Sequence, residues 1–157
     1  MQWTGARWFW TGMLAVIMAA MVATAAPAIS DLFVRVKVDT ANMREGPGTR
    51  YTLLWQVAEN FPLRVVSERK KWLKTEDFLG AEGWIYAPLT DTKPAVVVEA
   101  DLANIRSGPG TNHPVRFTAA WGTSFRLLGR EGKWVEVEHA DGSGGWIHEK
   151  LVWGSPN

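Results

Sequence analysis

Beyond residue 31 the chain alternates apolar and polar residues over short stretches, which is the period of half-buried β-strands. KWVEVEH at 133–139 alternates most regularly, while FVRVKV at 33–38 and LRVVSE at 63–68 are rich in β-branched residues. AEGWIY at 81–86 and GGWIHEK at 144–150 predict further short strands that begin after glycine. No helical period is sustained over ten residues in this part of the chain, so the pattern predicts an all-β protein.

The same pattern occurs twice. Shifting the sequence by 62 residues aligns 36–90 with 98–152 without a gap, and 19 of the 55 aligned positions are identical. The longest shared stretch is NMREGPGT at 42–49, which returns as NIRSGPGT at 104–111. The chain is therefore a tandem duplication.

Each copy is predicted to hold five strands joined by tight turns, such as the hairpin signal ADGSGG at 140–145. Five short strands in so small a unit close as a barrel, which would remove edge strands. Because small barrels bury little surface, we expect tryptophans to supply buried area, with Trp84 and Trp146 in the cores.

The predicted domains are 33–90 and 95–154. The connector TDTKP, at 90–94, is short, so the two barrels should lie side by side. The crevice between them is a natural place for a ligand.

The first 28 residues have the composition of an export signal. Arg7 precedes a long apolar run that ends in small residues, which predicts a signal peptide cleaved after Ala25 or Ala28. The chain is then exported to the periplasm or cell envelope. The alternative is a retained membrane anchor, since no charge occurs between Arg7 and Asp31.

Charge and cysteine content exclude several classes of function. The chain has 17 Lys plus Arg against 16 Asp plus Glu, with the signs interspersed, whereas a nucleic-acid binder needs a clustered positive surface. The absence of Cys excludes disulfides, thiolate nucleophiles and Cys-based zinc sites.

Catalytic and metal constellations are weak as well. Ser143, His139 and Asp141 share one hairpin turn and cannot adopt triad geometry. His139, Asp141 and His148 are too few for a normal metal site. We therefore expect no enzyme activity, no metal and no cofactor.

A set of motifs present in both copies resembles the bacterial SH3 domain family. The set comprises Asn-x-Arg-x-Gly-Pro-Gly-Thr, then Lys/Gly-x-Trp, then Gly-Trp-Ile and a final Leu, and it covers about residues 34 to 153. The resemblance implies two tandem SH3-like five-strand barrels in an exported, envelope-associated protein. It also implies a binding or targeting role, which in this family often accompanies cell-wall hydrolases.

The Gly-Pro-Gly loop is interpreted as structural. Its glycines can take positive φ, its asparagines tolerate the left-handed region, and its arginines have enough donors to satisfy several loop carbonyls. The motif residues are Asn42, Arg44, Gly46, Pro47 and Gly48 in the first copy, and Asn104, Arg106, Gly108, Pro109 and Gly110 in the second.

Aromatic residues, most of them at positions that differ between the copies, are the candidate ligand contacts, because rings with a polar tip suit peptides and sugars. They are Tyr51, Trp55, Trp72, Tyr86, Phe117, Trp121, Trp134 and His148. Glu76 and Glu138 are expected to contact the cationic amino acid of a stem peptide.

Two functions remain open. The favoured one is a non-catalytic envelope protein that recognises peptidoglycan or its stem peptides through an aromatic groove. The alternative is a periplasmic adaptor that docks a partner protein through the barrel surfaces or an exposed strand.

Overall fold

The computed structural model describes residues 32–155, and the predicted signal segment 1–28 lies outside them. The described residues form two antiparallel sheets, named here module one (33–91) and module two (95–154). Apart from 3₁₀ turns at Ala87–Leu89 and Glu149–Leu151, this span contains no helix. No helix within residues 32–155 is therefore long and apolar enough to cross a bilayer. The predicted all-β tandem fold is confirmed.

Module one contains seven strands in the sheet order β3-β2-β6-β5-β4-β1-β7. They are β1 (Phe33–Val36), β2 (Thr40–Arg44), β3 (Leu53–Ala58), β4 (Pro62–Arg69), β5 (Trp72–Glu76), β6 (Glu82–Tyr86) and β7 (Thr90–Asp91).

Module two repeats this order as β10-β9-β13-β12-β11-β8-β14. Its strands are β8 (Ala95–Val98), β9 (Leu102–Arg106), β10 (Val115–Ala120), β11 (Ser124–Glu131), β12 (Trp134–Glu138), β13 (Gly144–His148) and β14 (Val152–Gly154).

Each sheet has seven strands where the sequence predicted five. The first apolar stretch breaks at a bend at 37–39, and a short closing strand follows each 3₁₀ turn. Hydrogen bonding does not join the two ends of either order, so β3, β7, β10 and β14 remain edge strands. Both sheets nevertheless curl around a core of their own.

The two cores are mainly aliphatic, with Phe125 as an aromatic member of the second. Met43, Leu63 and Ile85 are fully buried in module one, as Phe125 and Ile147 are in module two. These side chains occupy alternate strand positions, as the period of two requires.

The described tryptophans are half-buried or exposed, and none lies inside a core. The prediction that Trp84 and Trp146 are core residues is wrong. Side chains alternate along β6, and Gly83 and Ile85 face inward, so Trp84 lies on the outer face. The same alternation places Trp146 outside β13.

The modules contact each other through ring pairs built from residues that the repeats do not share. Phe78 packs against Trp121 with ring centroids 5.1 Å apart, and Phe33 packs edge-on against Trp153 at 5.0 Å. The position equivalent to Phe78 is Ala140 in module two. The two copies thus contribute different positions to the junction between them.

An ion pair lies where module one meets the connector. Arg35 is 7% exposed, and its Nε donates to Asp91 Oδ1 at 2.9 Å while its Nη1 donates to Asn60 Oδ1 at 2.8 Å. Asp91 Oδ1 also accepts the backbone N–H of Lys93 at 3.0 Å. Burial raises the pKa of Asp91, but the hydrogen bonds and charges of Arg35 and Lys93 outweigh burial and lower it.

Candidate functional site

The Gly-Pro-Gly loop is closed by the arginine that ends the preceding strand. Arg44 Nη1 donates to the carbonyl of Tyr51 at 2.9 Å, and Arg106 Nη1 donates to the carbonyls of His113 and Thr111 at 2.8 and 3.2 Å. In both modules the guanidinium therefore satisfies loop carbonyls that the sheet leaves unpaired.

The glycines of this loop are required by close approach and not by a positive φ. Gly46 and Gly108 are absent from the glycines of the described chain with positive φ. A Cβ on Gly46 would lie 2.4 Å from Cδ1 of Tyr51, and one on Gly108 would lie 2.7 Å from Cε1 of His113. The ring three to five residues later thus packs directly on the glycine backbone.

The asparagines of the motif are strand residues, and neither uses the left-handed conformation that asparagine tolerates. Asn42 lies within β2 and Asn104 within β9. Asn42 Oδ1 accepts a cross-strand hydrogen bond from Gln56 Nε2 at 2.9 Å. Both asparagines stand beside a groove in the surface of their module.

Each groove is built around a cross-strand pair of rings. Trp72 opens β5 and lies directly opposite Tyr86, the last residue of β6, with ring centroids 5.4 Å apart. Trp134 lies opposite His148 in the same register, at 5.3 Å. All four rings are half-buried, so they keep a face for a ligand.

The walls of the two grooves correspond position by position. Groove one, of about 510 Å³, is lined by Thr40, Ala41, Asn42, Arg44, Gly48, Thr49, Trp72, Tyr86 and Leu89. Groove two, of about 360 Å³, is lined by Leu102, Asn104, Arg106, Thr111, Trp134, His148, Lys150 and Leu151. Seven equivalent positions line both grooves, and five of them are identical: an asparagine, an arginine, a threonine, a tryptophan and a leucine.

The polar tip of the ring pair differs between the grooves. Tyr86 presents a phenol, which both donates and accepts hydrogen bonds. His148 Nδ1 accepts the backbone N–H of Lys150 at 3.2 Å, so the neutral imidazole carries its proton on Nε2 and acts as a donor there.

Four of the eight predicted contact residues therefore line the grooves. The others lie elsewhere. Trp55 packs against the core of module one, Phe117 packs against the core of module two, and Trp121 belongs to the junction. Tyr51 packs over the Gly-Pro-Gly loop and lines a cavity next to groove one.

The carboxylates expected to contact a cationic ligand are engaged with arginine. Glu76 pairs with Arg64 across β4 and β5, and Glu138 pairs with Arg126 at the equivalent place. Neither carboxylate lines a groove.

The cavity next to groove one, named here the basic cavity, was not anticipated from the sequence. Its volume is about 440 Å³. It is lined by Pro47, Arg50, Tyr51, Arg69, Lys70, Lys71, Trp72 and Tyr86. The signal that points to it is the run RKK at 69–71, which stands where the second copy has EGK.

His139, Asp141 and Ser143 do meet, but in an order unlike that of a triad. Asp141 Oδ1 accepts a hydrogen bond from Ser143 Oγ at 2.6 Å and lies 3.2 Å from Nδ1 of His139. The carboxylate therefore lies between the serine and the histidine, whereas in a triad the histidine lies between the other two. Hydrogen bonds from Ser143 and His139 lower the pKa of Asp141 to about 2. Among residues 32–155 no three His, Cys, Asp or Glu side chains converge as metal ligands.

Known proteins resemble part of the chain. It is 22% identical over 129 residues to YrvJ of Bacillus subtilis, named as an N-acetylmuramoyl-L-alanine amidase, and the match covers 74% of this chain and 24% of that protein. It is 33% identical over 64 residues to LytH of Staphylococcus epidermidis, named as a cell wall amidase, with 40% and 22% covered. The chain thus spans about a quarter of the length of these curated relatives.

Among solved structures, an NlpC/P60 family protein from Bacillus cereus matches with a TM-score of 0.37 at 14% identity, over 77% of this chain and 55% of that one. The family profile of the bacterial SH3 domain matches residues 37–91 and again 99–154. These two matches cover one module each and together most of the chain, which therefore belongs to the bacterial SH3 domain family.

Proposed function

We propose that the chain is a non-catalytic cell-envelope protein that binds peptidoglycan or its stem peptides through grooves one and two. The observation that carries the proposal is the repeated groove, in which an aromatic pair occupies the same register position in both modules. One relative is named as an N-acetylmuramoyl-L-alanine amidase and another as a cell wall amidase, which supports this ligand class. Export by the N-terminal segment would bring the chain to that compartment.

The grooves suit such a ligand chemically. A half-buried tryptophan offers a flat apolar face to a sugar or a peptide, and the neighbouring Tyr86 or His148 gives the contact direction. Asn42 and Asn104 add amide donors and acceptors at the wall of the groove. In the His139 cluster the Ser143 hydroxyl donates to the carboxylate of Asp141 and not to the imidazole, so this serine is not activated as a nucleophile, which supports binding without catalysis.

Sedimentation with purified sacculi tests the proposal. We expect the wild-type chain to pellet with sacculi, and Trp72→Ala and Trp134→Ala each to weaken pelleting about tenfold, since stacking on one ring is worth about 1–3 kcal/mol. Trp84→Ala is the matched control, because Trp84 is half-buried on the outer face and lines neither groove. No pelleting of folded wild type, or equal loss in the control, would contradict the proposal.

The edge strands favour a second candidate, a protein–protein adaptor. Leu53 and Leu54 on β3 are 46% and 45% exposed, and Val115 on the equivalent edge β10 is 44% exposed. An unpaired edge with exposed apolar side chains can take a strand of a partner. This function predicts that Leu54→Lys abolishes cross-linking to a partner in intact cells while sacculus binding is unchanged.

A further inference from the structure

The basic cavity combines four cations with no opposing charge. The cavity is lined by four cationic side chains, Arg50, Arg69, Lys70 and Lys71. Within the described part of the chain, no Asp or Glu lines it. Ion pairs elsewhere in residues 32–155 use other side chains, so these four are unpaired with any carboxylate. Like charges gathered in this way repel one another and gain most from an added anion.

Lys70 occupies a backbone conformation that disfavours a side chain. Its φ is +57°, and the equivalent Gly132 of module two has the same φ of +57°. A non-glycine residue in the left-handed region costs about 1–2 kcal/mol, and lysine lacks the short polar side chain that lets asparagine tolerate it. Strained non-glycine residues of this kind cluster at functional sites, so the conformation of Lys70 directs attention to its side chain.

Module two lacks the equivalent charge set. Asn112, Glu131 and Gly132 replace Arg50, Arg69 and Lys70, and only Lys133 retains a cation. The shared fold therefore does not require the basic cavity, because module two builds the same hairpin without it.

The basic cavity is continuous with groove one. Trp72 and Tyr86 line both, so a ligand stacked on these rings reaches the cations without leaving the surface. Arg50 also packs over Tyr51, with Cζ 5.8 Å from the ring centroid, which holds its guanidinium at the wall of the cavity.

Resting on the function proposed above, we propose that module one is specific for an anionic group of the wall polymer, a carboxylate or a phosphate, which binds in the basic cavity beside Trp72. Arginine offers forked donors to either oxyanion, and the lysines add charge. Module two binds through groove two without this requirement. The two modules then read different chemical groups of one polymer.

The test uses the full chain with sacculi in four states: untreated, with carboxylates converted to amides by carbodiimide and ammonia, with phosphodiester-linked polymers removed by cold hydrofluoric acid, and with both treatments. We expect Lys70→Gly and Lys71→Gln each to weaken pelleting roughly tenfold at low salt, as the loss of a charge-assisted hydrogen bond predicts. Lys133→Gln, the module two counterpart of Lys71, removes the same charge and should leave pelleting unchanged. Loss of binding to amidated sacculi identifies a carboxylate, and loss after acid treatment identifies a phosphate.

Lys70→Gly separates binding from damage, because it removes strain and should leave the unfolding midpoint unchanged or raised while binding falls. Pelleting that is insensitive to Lys70→Gly and Lys71→Gln, or to the combined sacculus treatment, overturns the anion site and leaves the proposed function intact. No pelleting of wild type at all overturns both. Equal loss in Lys133→Gln would show nonspecific charge attraction and also overturns the site.

Discussion

Gly46 tests the packing of the Gly-Pro-Gly loop directly. Because its φ lies outside the positive range, alanine is allowed there by the backbone, and the obstacle is the ring of Tyr51. The added Cβ would lie 2.4, 2.5 and 2.7 Å from three ring atoms, which is closer than any carbon contact tolerates. Gly46 is buried, so the ring must shift to admit the methyl group.

We expect Gly46→Ala to destabilise module one by about 1–2 kcal/mol. Overpacking costs about 1–3 kcal/mol. The lower backbone entropy of alanine in the unfolded chain returns about 0.4–1 kcal/mol of this. For a module of this size the midpoint of thermal unfolding should fall by about 4–8 °C per kcal/mol.

Gly48→Ala is the matched control, since its Cβ would meet the same ring at an ordinary 3.4 Å. We expect it to be neutral or slightly stabilising in urea and thermal unfolding. In the background of Tyr51→Ala the cost of Gly46→Ala should largely disappear, and the double-mutant cycle measures that coupling. Equal losses at both glycines, or a cost that survives removal of the ring, would refute this account of the motif.

Three further outcomes are expected. Asp91→Ala leaves the buried charge of Arg35 unpaired and should lower the free energy of unfolding in urea by about 3 kcal/mol. This value is at the low end for a broken buried ion pair because the Asp91 side chain is partly exposed. A loss under about 1 kcal/mol would contradict a structural role for the pair. Because the folded pKa of Asp91 is lowered, the wild-type contribution is complete above pH 3.8 and is lost as the pH falls through the folded value, so Asp91→Ala should flatten the acid limb of stability; an unchanged slope would count against it. Ser143→Ala removes the hydroxyl hydrogen bond to Asp141 but keeps the one from the backbone N–H, so it should raise the pKa of Asp141 part of the way from about 2 toward 3.8 in an NMR titration; no shift would mean that the Ser143 hydroxyl does not hold the carboxylate in solution.

The tandem all-β fold could be predicted because the sequence contains two repeating patterns, one of period two and one of period 62. Alternation of apolar and polar residues specified strands, and the shift of 62 residues specified the repeat. The pairing of Trp72 with Tyr86, and of Trp134 with His148, also follows the repeat, and these residues were among the predicted contacts.

The direction of side chains was harder to predict than their apolarity. In EGWIY, alternation allows either Gly83 and Ile85 or Trp84 and Tyr86 to face inward, and it does not decide between the two pairs. Apolarity and size suggested the tryptophan, but an indole is large for so small a core. The tightly curled sheet takes the small and branched residues inside and leaves the indole outside. Tryptophan count alone therefore overestimated the aromatic part of the core.

The basic cavity was missed for a different reason. Arg50 is about twenty residues from Lys70 in the chain, and only the fold brings the Gly-Pro-Gly loop beside the β4–β5 hairpin. The difference between RKK and EGK was visible in the sequence, but its meaning depends on the positive φ that Lys70 shares with Gly132.

If both grooves bind the wall polymer as proposed, the protein is bivalent. When groove one is occupied on a repeating polymer, groove two meets the next site at an effective concentration of about millimolar, provided the spacing allows both to engage. Two individually weak contacts then give an avidity about 10²–10⁴ times that of either one. The duplication itself would thus let the chain hold an extended polymer firmly while it releases short soluble fragments of the same chemistry.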